Sequence, residues 1–376
     1  MIERFNPNER QETNSNDAYE QSIAIDKRVQ LLDPLELDSL LIEELPRFNM
    51  EVKPEALIER MEGLSIDSKK LHSLSPEEAM AATRDLSMVA SSLRRHNRSL
   101  GEIPYLESAL ITLSKRTLEV PADTVFSYGT RNPIGERTRT FTTFPEERLF
   151  IDSFREGMVN LPLALSTLEK VQNTKVDNLE FAPLVREVAS NFEAMVSAIV
   201  RVRKAISPEF FTKELRPYFE PKTIGGRIYK APGGAQMPII LIDQALWGAS
   251  ESNPMYLGYY RENLAYQPHI LRDRESSIIK EVPIITRVFQ ELESSDLNIE
   301  STKKVAIESL TAAHELLLFV EQFRRPHLKI AQDNMALRPA GAVGSGGYDI
   351  EILEFLLTHI SAAKQKVAEK LKTLKS

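Results

Sequence analysis

From Lys303 to Ala336 the apolar residues return every three or four positions. Ala306, Leu310, Ala313, Leu317 and Val320 form one stripe, which runs on through Arg324, His327 and Ala331. Such spacing predicts one long helix with a buried face. Val185, Val188, Phe192, Met195, Ile199 and Val202 repeat the pattern earlier, and a third helical stretch is expected from an Asp349 N-cap to about Leu374. Helices that each carry one apolar face must bury it against one another, so the expected fold is mainly α.

Shorter signals divide the chain. Residues 1–24 are polar, rich in Asn, Glu and Gln, and are expected to form a disordered arm. Helical clustering follows, with breaks at Pro34, Pro46 and Pro54. Ser75-Pro76-Glu77-Glu78 predicts a helix start: serine caps, proline occupies the first turn, and Glu78 closes a capping box. That helix should run to about Asn97. Residues 120–147 hold three prolines, two glycines and many threonines. They read as a long irregular connection with room for a short hairpin. They also mark the boundary between a smaller N-terminal helical domain (25–140) and a larger C-terminal helical domain (141–376). Ser207-Pro208 starts another short helix, and there is no internal repeat. Eight of the 15 glycines fall in two stretches, 225–234 and 341–347. These suit two ligand-facing loops and equally two ordinary flexible ones.

What the chain lacks narrows its chemistry. It has no cysteine, which excludes disulfides, cysteinyl zinc, cysteine-held iron–sulfur clusters, thiolate-ligated haem and covalent c-type haem. None of the six histidines belongs to HExxH or to a close pair on one helical turn, and no GxSxG is present. Gly344-Ser345-Gly346-Gly347 has neither the spacing nor the preceding strand of a dinucleotide loop. A net charge of −7 gives no support to nucleic-acid or anionic-membrane binding. No apolar run reaches membrane-span length and the first residues show no apolar h-region, so a cytoplasmic protein is expected.

His327 has the most informative surroundings. It and Arg324 interrupt an apolar face one turn apart. Apolar neighbours disfavour protonated imidazole and keep the neutral form, which binds metal. A flat apolar cofactor bearing one metal and two carboxylates suits the pair: haem, with His327 as axial ligand and Arg324 on a propionate. An ordinary core histidine fits the same residues. Pro326 suits either a bend that aims a ligand or a helix boundary. Arg216 lies between Phe210-Phe211 and Tyr218-Phe219. That setting suits a planar substrate with a carboxylate, such as an aromatic amino acid, and also a solvated helix end.

Two segments carry a wider likeness: ISPEFFTKELRPYFEPKTIGGRIYKAPGGAQMPIILIDQALWG (206–248) and FRRPHLKIAQDNMALRPAGAVGSGGY (323–348). With FPEERLFIDSFREGM (144–158) and the helix near 77–97, they resemble the monodechloroaminopyrrolnitrin synthase family, within the indoleamine/tryptophan 2,3-dioxygenase haem superfamily. The resemblance implies an indoleamine 2,3-dioxygenase-like helical fold with b-type haem in the C-terminal domain. His327 then matches the proximal iron ligand and Arg324 the propionate partner. Ser153 matches a distal serine that hydrogen-bonds substrate or oxidant. Phe211 matches an aromatic of the substrate pocket, and Arg216 the arginine that grips the substrate carboxylate. Gly233-Gly234-Ala235 matches a small-residue loop against the substrate, and Gly344, Ser345, Gly346 and Gly347 a loop that closes over cofactor and substrate. Leu149 stands where the dioxygenases carry a distal phenylalanine, and Met335 where the synthase family carries a tyrosine. The implied activity is haem-dependent oxidation of tryptophan or a chlorinated tryptophan by O2 or peroxide, with ring rearrangement in pyrrolnitrin biosynthesis and room for an electron donor. Indole 2,3-dioxygenation or hydroxylation, and a haem-binding protein without turnover, are the rival outcomes.

Overall fold

A computed structural model describes residues 15–376 apart from 65, 249–252, 340, 341 and 345, with side chains described from Ala18 onward. The helices that position the site are α1 (Ser15–Leu31), α2 (Pro76–Arg95), α3 (Pro145–Met158), α4 (Phe181–Ala205), α5 (Ile239–Trp247), α6 (Pro254–Leu264), α7 (Glu300–Ala336) and α8 (Glu351–Lys375), with shorter helices between them. The start of α2 follows from its sequence. Ser75 Oγ accepts from the Glu78 amide at 3.3 Å, and the Glu78 carboxylate accepts from the Ser75 amide at 2.7 Å. Helix α8 begins two residues after Asp349, whose carboxylate accepts from the Glu351 amide at 3.3 Å.

The periodic stripes pack as their spacing requires. Helix α4 lies along α7, α7 along α8, and α3 along α4. Phe192 of α4 is fully buried and meets Phe323 of α7 edge-on, with centroids 6.4 Å apart. Helix α7 runs unbroken through Pro326 to Ala336. Proline leaves the Gln322 carbonyl without its helical donor, and Gln322 is exposed, so water can replace the lost bond.

Two apolar clusters result. One gathers α4 to α8. The other gathers residues 35–151, but it also takes in Val202, Ile206, Phe210, Leu215, Phe219 and Ala231. The cores therefore do not divide at one point of the chain. Phe154 packs against both, at their seam.

Three features differ from expectation. The predicted arm is helical from Ser15. Tyr19 is fully buried in the larger core and donates to Glu169 at 2.9 Å, which anchors a segment too polar to reveal its one inward aromatic. Residues 1–14 lie outside the described part. Residues 120–147 are largely buried, and no strand occurs there among the described residues. The hairpin is instead Lys222–Ile224 (β1) paired antiparallel with Arg227–Tyr229 (β2), joined by Gly225-Gly226, both at positive φ. The buried connection tolerates irregular backbone because side chains satisfy it. Arg84 donates to the carbonyls of Val29, Leu32 and Arg131 while pairing with Asp85, and Arg139 adds a second guanidinium to Asp85 at 2.8 Å.

Glu147, in the first turn of α3, closes this segment. Its carboxylate accepts from the Phe141 and Thr142 amides at 2.8 and 2.7 Å, from the Thr142 hydroxyl at 2.7 Å and from the Tyr128 phenol at 3.1 Å. Full burial still pushes its carboxyl up to about 7, the four donors only partly offsetting desolvation. The clasp fixes Phe141, which stacks on Tyr218 at 4.7 Å. Among the described residues no helix is long and apolar enough to cross a membrane. Glu147→Gln is expected to destabilise the fold by about 2–3 kcal/mol, because an amide turns two donors toward groups that themselves donate. Chemical denaturation of both proteins at one pH measures this.

Candidate active site

A cavity opens at the seam of the two cores. Its walls come from α3 (Phe150, Ser153, Phe154), α4 (Met195, Ile199, Val202), the turn after Ile206 (Phe211, Thr212, Arg216), the Gly234–Met237 loop, α7 (His327, Ile330, Ala331, Asn334, Met335) and the segment Gly344–Leu353. The seam explains its apolar lining: both cores contribute side chains to it.

His327 sits on this wall, one face toward the hollow and Phe323 5.4 Å away along the same helix. Among the described residues Nδ1 is sealed and without a hydrogen-bond partner, and Nε2 makes no hydrogen bond either. Burial, reinforced by the Arg324 charge, pushes the imidazole down to about 3, so the ring is neutral at physiological pH. A Cβ built on Gly234 would stand 3.3 Å from both Cε1 and Nε2. Only glycine leaves that side of the ring free.

Arg324 is a predicted position that the structure does not bring to the cavity wall. Its side chain is buried against Asp243 of α5 in a tight ion pair. The helical stripe placed it beside His327 correctly, but a guanidinium in the core needs a counter-charge, and Asp243 supplies one. Burial raises the Asp243 carboxyl even so. The expected direct propionate contact is therefore replaced by an internal salt bridge behind the histidine. Asp243 escaped the sequence reading, although a lone acid inside Ile239–Trp247 (IILIDQALW) is itself a signal for a buried partner.

Phe211 and Arg216 reach the cavity through an unusual local fold. The short helix beginning at Pro208, capped by Ser207, widens into an i→i+5 turn over Phe211–Leu215 and tightens again over Arg216–Tyr218. Arg216 is buried. It donates to the Phe219 carbonyl at 2.6 Å, to Glu220 at 2.9 Å and to the Gly344 carbonyl at 3.3 Å, and its Nε has no partner. Burial lowers its pKa, and Glu220 only partly restores it.

The remaining predicted positions divide. Ser153, Gly234, Gly344 and Gly346 line the cavity. The Ser153 hydroxyl donates to the Leu149 carbonyl at 2.8 Å, so toward the hollow it offers acceptor lone pairs rather than a proton. Leu149 packs in the smaller core and is not on the cavity wall, whereas Met335 is. Gly347 stands back from the cavity, against the Lys230 side chain. Ser345 lies outside the described residues. The following Tyr348 holds the loop down. Its phenol donates to Glu262 at 2.5 Å and accepts from Asn263 at 2.8 Å, and the Lys230 ammonium lies 3.4 Å from its ring centroid. Asn334 and Arg338 went unread, although they follow His327 at seven and eleven residues, the same helical period.

No group of three His, Asp or Glu among the described residues could hold a bare metal ion. The mainly helical frame is of the indoleamine/tryptophan dioxygenase type. The family described as "Monodechloroaminopyrrolnitrin synthase PrnB" matches residues 59–376, and the chain belongs to that family. It is accordingly a haem-dependent oxidative enzyme of pyrrolnitrin biosynthesis, acting on a small molecule.

The residues present fit that cofactor. Both ring nitrogens of His327 lack protein partners, Gly234 leaves room beside one of them, and the surrounding wall is mainly apolar. Gly234→Ala should lower haem uptake severalfold without loss of helical circular dichroism, because the added methyl forces the imidazole aside; a Soret titration reads the change. A buried neutral imidazole also predicts haem affinity that is flat from about pH 8 to about pH 5. A solvent-like histidine would lose roughly tenfold per unit below about 6.5. Equilibrium titrations across that range distinguish the two.

Proposed function

We propose that the cavity takes haem b, which His327 would hold, together with tryptophan or a chlorinated tryptophan. The observation that carries this reading is that one hollow is shared by His327, with both nitrogens free, and Arg216, whose Nε is buried without a partner. When bound, haem supplies the iron-centred redox chemistry with O2 or peroxide that side chains lack. Arg216 binds the α-carboxylate, trading its contact with half-exposed Glu220 for the ligand's oxygens. Asn334 and Asp349, also on the wall, are placed to accept from the α-ammonium. Phe150, Phe154 and Phe211 enclose the indole and exclude water. Ser153, its own proton committed to Leu149, accepts from the indole N–H or the ammonium.

Behind the site, the Arg324–Asp243 pair ties α7 to α5 and sets the rotation of the helix that presents His327. Met335 fills wall space where the family's tyrosine would offer a hydroxyl, so the ligand's polar contacts fall to Arg216, Asn334 and Asp349. The reaction is an oxidative rearrangement of the indole amino acid. The enzyme works in the cytoplasm and draws electrons from a separate donor.

His327→Ala should abolish the Soret band of the reconstituted protein; an unchanged band and stoichiometry would remove His327 from the iron. Arg216→Ala should weaken tryptophan binding about tenfold or more while leaving indole binding little changed. Equal losses for the two ligands would end its assignment to the carboxylate. Product mass separates rearrangement from dioxygenation, which adds two oxygen atoms, and from hydroxylation, which adds one.

A further inference from the structure

Beside the mouth of the cavity lies a second, shallower bay. Arg94 and Arg95 from the end of α2, Arg216, and Arg338 just beyond α7 converge on it, with Asn97 and Glu220 completing the polar wall. Arg216 and Arg338 also line the main cavity, so the two hollows share a wall. Four guanidiniums face one carboxylate, a local excess of three positive charges on a chain of net charge −7. The last turn of α2 favours cations through the helix dipole, which accounts for Arg94 and Arg95 taken alone. It does not account for two further arginines brought there from separate parts of the chain.

The donors are not used up by the protein. Among the described residues neither Arg94 nor Arg95 forms an ion pair. Arg94 reaches only the Pro221 carbonyl at 3.3 Å, and Arg95 only the Tyr218 ring, at 5.9 Å from its centroid. Arg216, 4% exposed, keeps its Nε buried and unpartnered. Glu220 shows what the bay holds. Its carboxylate sits 2.9 Å from Arg216 and 3.9 Å from Arg338, so one carboxylate already lies between two of the guanidiniums.

We propose that this bay is a second anion site, built to take a carboxylate presented at the mouth of the cavity. The inference rests on the reading that the cavity binds haem and an amino acid, since these are the two carboxylate sources at hand: a haem propionate, or the α-carboxylate of the bound substrate, which Arg216, common to both hollows, presents to the bay. Glu220 is the internal occupant that such a group displaces. Arg324, already neutralised by Asp243, does not compete for it.

The test compares haem-loaded wild type with Arg95→Gln/Arg338→Gln, and with Arg95→Lys/Arg338→Lys as the variant that keeps the charge. Two quantities are measured: haem transfer to excess apomyoglobin, and binding of tryptophan and of indole by calorimetry. For the substrate source, the glutamine variant binds tryptophan on the order of tenfold more weakly, with indole binding and haem transfer unchanged. For the propionate source, haem transfer accelerates on the order of tenfold, with both ligands affected alike. In either case the lysine variant recovers most of the loss. Unchanged haem transfer and unchanged tryptophan affinity in the glutamine variant overturn the bay and leave the cavity reading standing. Wild type that takes up neither haem nor tryptophan overturns the cavity reading, and the bay with it.

Discussion

A neutral imidazole held in apolar surroundings with no protein partner is the interaction on which this structure turns. Burying a polar ring without a hydrogen bond costs roughly 1–3 kcal/mol in a folded protein. At His327 this holds for Nδ1, sealed without a partner, while the rest of the ring borders the cavity. The neighbouring residues keep other protein groups from pairing with the ring. Gly234 keeps side-chain atoms off the ring, Arg324 is turned away to Asp243, and Phe323 covers its flank. The family to which the chain belongs is haem-dependent, and Nε2, on the side of the ring beside Gly234, is the nitrogen open to a partner from the cavity.

The other side of the cavity is organised by a different device. Glu147 gathers four donors and fixes Phe141; Phe141 stacks on Tyr218; and Tyr218 ends the tight turn that follows the widened one, the two together aiming Phe211 and Arg216. The Gly344–Tyr348 segment is tied to both sides. The Gly344 carbonyl accepts from Arg216, and Tyr348 is pinned to α6 through Glu262 and Asn263. Orientation of Arg216 thus depends on contacts spread from residue 128 to residue 348, none of which touches the imidazole.

Much of this was legible in the chain because helices announce themselves locally. Three stripes of period 3.6 gave α4, α7 and α8, and one capping box gave the start of α2 to within a residue. His327, Arg216 and Ser153 could be named because the first two interrupt apolar or aromatic settings and the third falls within a recognisable segment. What could not be read was long-range. The counter-charge of Arg324 lies 81 residues away in sequence. The burial of residues 120–147 depends on arginines and a glutamate whose partners are distant. The helix at residues 15–24 is anchored by a single tyrosine. Such contacts carry no period. The hairpin at Gly225-Gly226 did have a local signal, but its glycines were read as a ligand loop.

The position of the hollow has a further consequence. Phe150, Val202 and Ile206 face it from one core, and Met195, Met237 and Phe323 from the other. Whatever occupies the space becomes the mortar between two halves that otherwise meet across a gap. A ligand that binds only the folded chain stabilises it by an amount that grows with the logarithm of free ligand over Kd. An occupant of the seam would therefore brace both cores at once, so that its supply would bear on the survival of the fold as well as on its chemistry.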